Sequence, residues 1–240
     1  MNITLANLVL EITRRCNMKC AHCLRGAAQP VDMDLEIINR VTRESDCICG
    51  LTLTGGEPSL NADAIRHIRY CTYCNGCDLG SFWLATNARY FKPEFYQEIE
   101  ELYGACYEQR ECVLTISGDQ YHLRHSEVAY ERYSELPFFN DSHMRNIPDW
   151  WLINEGYARK NWLGGKDLQP KRLLEDTYYS AENDRLYVGD MIYINAMGDV
   201  LLGCDYSYAS QKARSIGNVL RTRLEDIVFA LMDEKMAIAA

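Results

Sequence analysis

The sequence predicts an α/β protein: a parallel sheet partly closed into a barrel, followed by a short C-terminal β-hairpin and a helix. Three observations carry that prediction. Strand-like and helix-like runs alternate four times before Pro137, which calls for parallel strands joined by right-handed crossovers. The first run, Leu8, Leu10 and Ile12, has the period of a strand and leads straight into a group of cysteines. Two apolar runs flanking Ala196-Met197-Gly198-Asp199 read as an antiparallel hairpin ahead of the last helix.

Taken in order, residues 5–13 form the first strand. A helix follows at about 33–45, with Leu35, Ile38 and Val41 spaced to face a core and Asp32 or Asp34 placed to cap it. Gly50–Thr54 is the second strand and ends in Gly55-Gly56-Glu57-Pro58. Asn61 can cap the second helix, which turns Ile65 and Ile68 to one face. Phe82–Thr86 is the third strand, and Pro93 suits the first position of a third helix with Phe95, Ile99, Leu102 and Tyr103 as its buried stripe. Val113–Ser117 is the fourth strand. Ser126 starts a fourth helix with Ala129, Tyr133 and Leu136 inward, and Pro137 stops it. From 137 to 185 the pattern blurs, with Trp150–Ile153 reading as a fifth strand and Leu163–Lys166 as a loop. Met191–Asn195 and Val200–Leu202 make the hairpin, and Thr222–Glu225 has the form of a capping box before Ile227, Val228 and Leu231. Residues 1–185 are thus the expected core and 186–240 an extension of hairpin and helix.

A chain of 240 residues can bury a full core. Its net charge of -9 argues against nucleic acid or an anionic membrane as a partner. No apolar run approaches the ~20 residues that span a bilayer. The first strand starts close to Met1 and leaves no room for a targeting segment, so a cytoplasmic location is expected. Eleven cysteines without an export signal point to reduced thiols and metal ligation.

Cys16, Cys20 and Cys23 sit on the loop leaving the C-terminal end of the first strand, where α/β sheets place their chemistry. Three close thiolates can hold an iron–sulfur cluster or a zinc ion, the latter with His22 as a fourth ligand. Three ligands on a cluster of four irons would leave one iron open. Gly55 and Gly56 allow close approach to the backbone, or serve a tight turn, and Glu57 can accept hydrogen bonds from an ammonium group. Thr86-Asn87 and Ser117-Gly118-Asp119 end the next two strands, where their polar groups can bind a ligand or cap helices.

The spacing Cys16-x3-Cys20-x2-Cys23 after a strand, with Thr54-Gly55-Gly56-Glu57 at the next strand end, resembles the radical S-adenosylmethionine (SAM) superfamily. The resemblance spans roughly residues 5–120 and implies a four-iron four-sulfur cluster on Cys16, Cys20 and Cys23. It further implies reductive cleavage of SAM to a 5′-deoxyadenosyl radical that takes a hydrogen atom from a substrate. It gives Gly55, Gly56 and Glu57 the methionine amino group of SAM and puts His22 beside the adenine. Ser117, Asp119 and Asn87 become candidate contacts to the ribose or the carboxylate, with Arg124 or Arg132 as the arginine facing that carboxylate. A low-potential donor such as flavodoxin or ferredoxin is implied as an electron source, and oxygen sensitivity with it.

The last ~50 residues resemble the start of a SPASM or twitch extension, but no cysteine follows Cys204. That leaves Cys204 as a relic, a hydrogen-atom donor or a buried apolar filler. The tail tilts the expected substrate toward a peptide or protein side chain, with a small molecule or nucleotide as the rival. Cys71, Cys74 and Cys77 form a second thiol group at the opposite sheet edge, about one strand length (~17–20 Å) from the first. They are either a structural zinc or cluster site or reduced thiols. A zinc-stabilised binding module using both groups is the non-enzyme alternative.

Overall fold

A computed structural model describes residues 2–141, 146–168 and 174–239, with side chains as far as Asp233. The sheet is built from β1 (Asn2–Thr13), β2 (Ser45–Gly55), β3 (Asp78–Thr86) and β4 (Val113–Ile116). Between and after them run α1 (Leu35–Glu44), α2 (Ala62–Asn75), α3 (Pro93–Ala105) and α4 (Glu127–Ser134). A short α5 (Gly156–Lys160) precedes β5 (Thr177–Ser180), β6 (Arg185–Ile194) and β7 (Asp199–Leu202). The described chain closes with α6 (Tyr208–Arg214), β8 (Gly217–Asn218) and α7 (Leu224–Ala239).

The strand order is β4-β3-β2-β1-β6-β7-β8, with β5 on the flank of β6. β1 to β4 are mutually parallel, and β1 is also paired in parallel with β6, from Asn2 opposite Arg185 to Leu10 opposite Ile194. The hairpin strand β6 therefore lies in the same sheet as the first four strands. β1 is central and buried along most of its length, from Ile3 and Leu5 to Ile12. Helix α1 presents Ile37, Ile38, Val41 and Thr42 to the core, α2 presents Ile65 and Ile68, and α3 presents Phe95, Ile99 and Leu102.

The local signals act much as the sequence implies. Asp34 accepts from the Glu36 N–H, Asn61 from Ala64 and Ser126 from Ala129, and Pro93 opens α3. Three expectations need correction. Leu35 lies at the helix start on the solvent side and Ile37 takes the core position. Trp150–Ile153 is not a strand: Asp149–Trp151 is a single 3-10 turn with both tryptophans exposed, and Ile153 contributes one isolated bridge to Lys166. The capping box of α7 does not form: the Thr222 N–H goes to the Asn218 carbonyl and Glu225 turns to Arg223, while Glu44 at the end of α1 takes the Leu224 N–H at 2.6 Å.

Candidate active site

The loop after β1 carries Cys16, Cys20 and Cys23, all partly buried, onto a cavity of about 380 Å³ at the C-terminal ends of β1–β4. The cavity wall also includes His22, Gly55, Gly56, Glu57, Asn87 and Ser117. Burial pushes the Cys16 thiol up, and it pushes Cys20 up to about 12 with help from its neighbours Cys23 and Cys16. Cys16 and Cys20 by themselves therefore hold their protons at neutral pH. Among the described residues, only His22, Asp119 and His122 place metal-ligand atoms within 4.8 Å of one another. The three thiols are therefore spread wider than the ligands of a lone zinc ion.

The glycine pair has a backbone reason. A Cβ on Gly55 would stand 2.1 Å from the Thr13 carbonyl oxygen, and one on Gly56 would stand 2.3 Å from that of Arg15. The Gly56 and Glu57 N–H groups donate to those same carbonyls, at 2.9 and 2.8 Å. The end of β2 is thereby laced to the start of the cysteine loop. Glu57 is buried, and its carboxylate accepts from the Ser59 N–H (3.1 Å), the Thr86 hydroxyl (2.6 Å) and the Asn87 N–H (2.8 Å). All three donors are neutral, and a carboxylate has about four lone-pair sites, so one remains open.

Asn87 uses its side chain to hold Asn17 of the cysteine loop and to accept from Arg89. Ser117 lines the cavity, with its N–H on the Thr86 carbonyl. Asp119 accepts from the Tyr121 N–H and lies 2.8 Å from His122 Nδ1 and 3.5 Å from His22 Nε2. Burial works to raise the Asp119 pKa, but the contacts with His122 and Tyr121 outweigh it and hold the carboxyl below its usual range. Burial lowers the pKa of His22, whose ring stacks on Tyr121 at 4.9 Å and meets His122 edge-on at 4.9 Å. One face of the ring expected beside an adenine is thus already covered.

Neither Arg124 nor Arg132 lines the cavity. Arg124 pairs with Glu127, and Arg132 pairs with Glu135 and lies over Phe91 and Tyr96. Arg25 does line it: buried, stacked over Tyr193 at 4.9 Å and donating to the Tyr206 carbonyl at 2.6 Å. Behind it, Glu11 is fully buried and accepts from Arg14, Tyr193, Gln211 and the Ala196 N–H. Cys204 packs beside Val9, Tyr193, Leu201 and Tyr206 and is not part of the cavity wall.

The blurred segment turns out to brace the cysteines. The Tyr157 N–H donates to the Cys23 carbonyl at 2.8 Å, Asn161 holds the Ala21 carbonyl, and Gly156 comes so close that a Cβ would meet the Leu24 carbonyl at 2.2 Å. At the far edge, Cys47 and Cys49 lie 3.7 Å apart, Cys71 faces His67 at 3.3 Å and Cys74 is exposed. Cys71, Cys74 and Cys77 do not bring their sulfurs together as the ligands of one ion.

No family model matches the chain. It is 30% identical over 103 residues to the uncharacterised protein MJ0907 of Methanocaldococcus jannaschii, a stretch covering 40% of this chain and 35% of that one, so it spans about a third of that relative. Among solved structures, BtrN in complex with AdoMet and 2-DOIA matches with a TM-score of 0.59 at 15% identity, over 95% of this chain and 83% of BtrN. The structure of anSMEcpe with bound AdoMet (SAM) matches with a TM-score of 0.52 at 15% identity, over 93% and 80% of the two chains. The chain has the fold of these AdoMet-bound proteins, the partial α/β barrel that its resemblance to the radical SAM superfamily implies.

Proposed function

We propose that this protein is a radical SAM enzyme. The observation that carries the reading is Glu57: a buried carboxylate held by neutral donors, with a lone pair open, on the wall shared with three thiols. A buried anion without a cation is costly, and the ammonium group of SAM would supply one. The donor set fits a four-iron four-sulfur cluster on Cys16, Cys20 and Cys23, since the thiols spread wider than a single ion needs. When bound, that cluster supplies one electron that splits SAM into methionine and a 5′-deoxyadenosyl radical, which takes a hydrogen atom from the substrate to give 5′-deoxyadenosine.

The chain's own residues hold the cofactor. Glu57 accepts from the ammonium, and Gly55 and Gly56 hold the β2 end against the cysteine loop. Arg25, rather than Arg124 or Arg132, faces the carboxylate, and Ser117 offers a hydroxyl to the ribose. Asn87 acts as a positioning residue through Asn17. Trp151, Leu152 and Ile153 form an apolar wall that limits water. Electrons come from a low-potential donor such as flavodoxin or ferredoxin, and the cluster makes the protein oxygen-sensitive. Among the described residues no helix is long and apolar enough to cross a membrane. The substrate is a peptide or protein side chain if the twitch-like tail is the better guide. The likeness to BtrN with AdoMet and 2-DOIA supports the rival, a small molecule.

Anaerobic reconstitution with iron and sulfide tests the reading. A brown protein that releases 5′-deoxyadenosine from SAM under dithionite, with both properties lost in Cys16→Ala, Cys20→Ala and Cys23→Ala, supports it. A colourless protein with zinc on sulfur ligands would make it a binding module instead.

A further inference from the structure

The strand-end chemistry leaves one group of side chains without a task. His22, from the cysteine loop, meets Asp119 and His122, from the loop after β4, with ligand atoms within 4.8 Å of one another. The side chains are 14%, 10% and 15% exposed, so all three have largely left water. The two nitrogen–carboxylate separations bracket the spacing of ligands on one ion. Two donors each ~2.0–2.1 Å from a tetrahedral centre lie about 3.3 Å apart. The observed contacts are 3.5 Å from His22 Nε2 to Asp119 Oδ2 and 2.8 Å from His122 Nδ1 to Asp119 Oδ1.

The hydrogen bonding is incomplete in the way a missing ion would leave it. His122 Nδ1 is close to the carboxylate yet not aligned with it as a donor, which leaves that buried nitrogen without a hydrogen bond. Buried imidazole nitrogens normally find partners. Tyr121 stacks on His22 and fixes the ring plane, and its own N–H donates to Asp119 Oδ1, an outer-shell arrangement that orients metal ligands.

We propose that His22, Asp119 and His122 bind a divalent first-row transition-metal ion, with zinc as the representative, separate from the three thiols. Two imidazoles and a carboxylate are a borderline donor set suited to such ions. Three protein ligands leave a coordination position open. Because both histidines line the cavity, that position faces it and offers a Lewis-acid anchor for an oxygen or nitrogen atom of a substrate. This assignment uses His22 and Asp119 for the ion instead of for adenine or ribose.

The test uses the full chain, anaerobically reconstituted, freed of loose metal with a chelator and titrated with zinc chloride. The expected result is one zinc per chain by elemental analysis, and an X-ray absorption spectrum showing nitrogen and oxygen neighbours with the outer-shell pattern of imidazole. Asp119→Asn and His122→Gln should each weaken zinc binding by at least about 10–100-fold, the loss typical of removing even an outer-shell partner. Iron content and far-ultraviolet circular dichroism should stay unchanged in both, and Cys74→Ser should not alter zinc binding. No stoichiometric zinc, a sulfur shell in the unmutated protein, or affinity unchanged in both variants would overturn the proposal. The spectrum of the unmutated protein decides the matter even if a variant fails to fold. Because zinc is counted without turnover, the outcome is independent of whether SAM is cleaved.

Discussion

Glu57 and Gly56 are adjacent, yet they fail in different ways when changed. Glu57→Gln keeps the shape and removes the charge, so an ammonium loses a charge-assisted hydrogen bond. Such bonds contribute about 1.5–3 kcal/mol, which predicts SAM binding weaker by about 10–100-fold. Equilibrium dialysis of SAM against the reconstituted variant measures this, and an affinity equal to that of the unmutated protein would remove Glu57 from the ligand's contacts. Gly56→Ala drives a methyl group into the Arg15 backbone, a neighbour that cannot rotate away. We expect it to destabilise the fold by roughly 1–3 kcal/mol, as overpacking does, seen as a lower urea midpoint. The Gly-Gly-Glu run was legible as special because glycine pairs at strand ends have few uses. What the pair accommodates was not, because the cysteine loop's carbonyls reach it only in the folded chain. For the same reason Tyr121 and His122 escaped notice, and Arg25, two residues after Cys23, could not be told from a surface arginine before Tyr193 and Tyr206 were seen to bury it.

At the scale of elements, one junction couples two helices that are far apart in the sequence. Glu44, ending α1, accepts from the first N–H of α7 at 2.6 Å. Burial raises its pKa, and the Leu224 N–H and Arg223 offset this only in part. An acid with a folded pKa above its unfolded value takes up a proton on folding between the two. Its contribution to stability therefore falls as pH rises through that range. Glu44→Gln can still accept from Leu224 but carries no charge to desolvate. The expectation is a higher urea midpoint than the unmutated protein at neutral pH. That advantage should fade as the pH falls through the carboxylate range and Glu44 takes up its proton. An advantage that stays constant with pH would show that the charge is not the cause. The helices themselves were legible because caps such as Asp34 and Asn61 and the inward stripes are local. The cap of α7 was not, because its acceptor lies in another helix. Trp150–Ile153 misled because a run of apolar residues has no period, and four such residues suit a wall beside a cavity as well as a strand.

Across the whole molecule, the sheet has two ends with different chemistry. Cys47 lies near the start of β2 and Gly55 ends it, eight residues on (55 − 47), which at ~3.3 Å per residue is about 26 Å. The parallel strands share this polarity, so every strand start lies on the edge away from the cavity. The thiols there are engaged locally: Cys47 contacts Cys49 and Tyr107, Cys71 contacts His67, and Cys106 is paired with Cys112. Burial, with Cys47 next, pushes Cys77 up to about 12, which keeps it a neutral thiol at ordinary pH. Cys71, Cys74 and Cys77 also do not bring their sulfurs together as the ligands of one ion. Changing Cys74 and Cys77 to serine should therefore leave iron per chain, the brown colour and SAM cleavage as they were. Cys77→Ser alone should cost stability, since a hydroxyl replaces a buried apolar sulfur. Iron analysis, visible absorbance and a urea titration on the single and double variants read these effects separately. Loss of iron on changing Cys74, which is exposed and adds little to packing, would mean that the far edge holds a metal of its own.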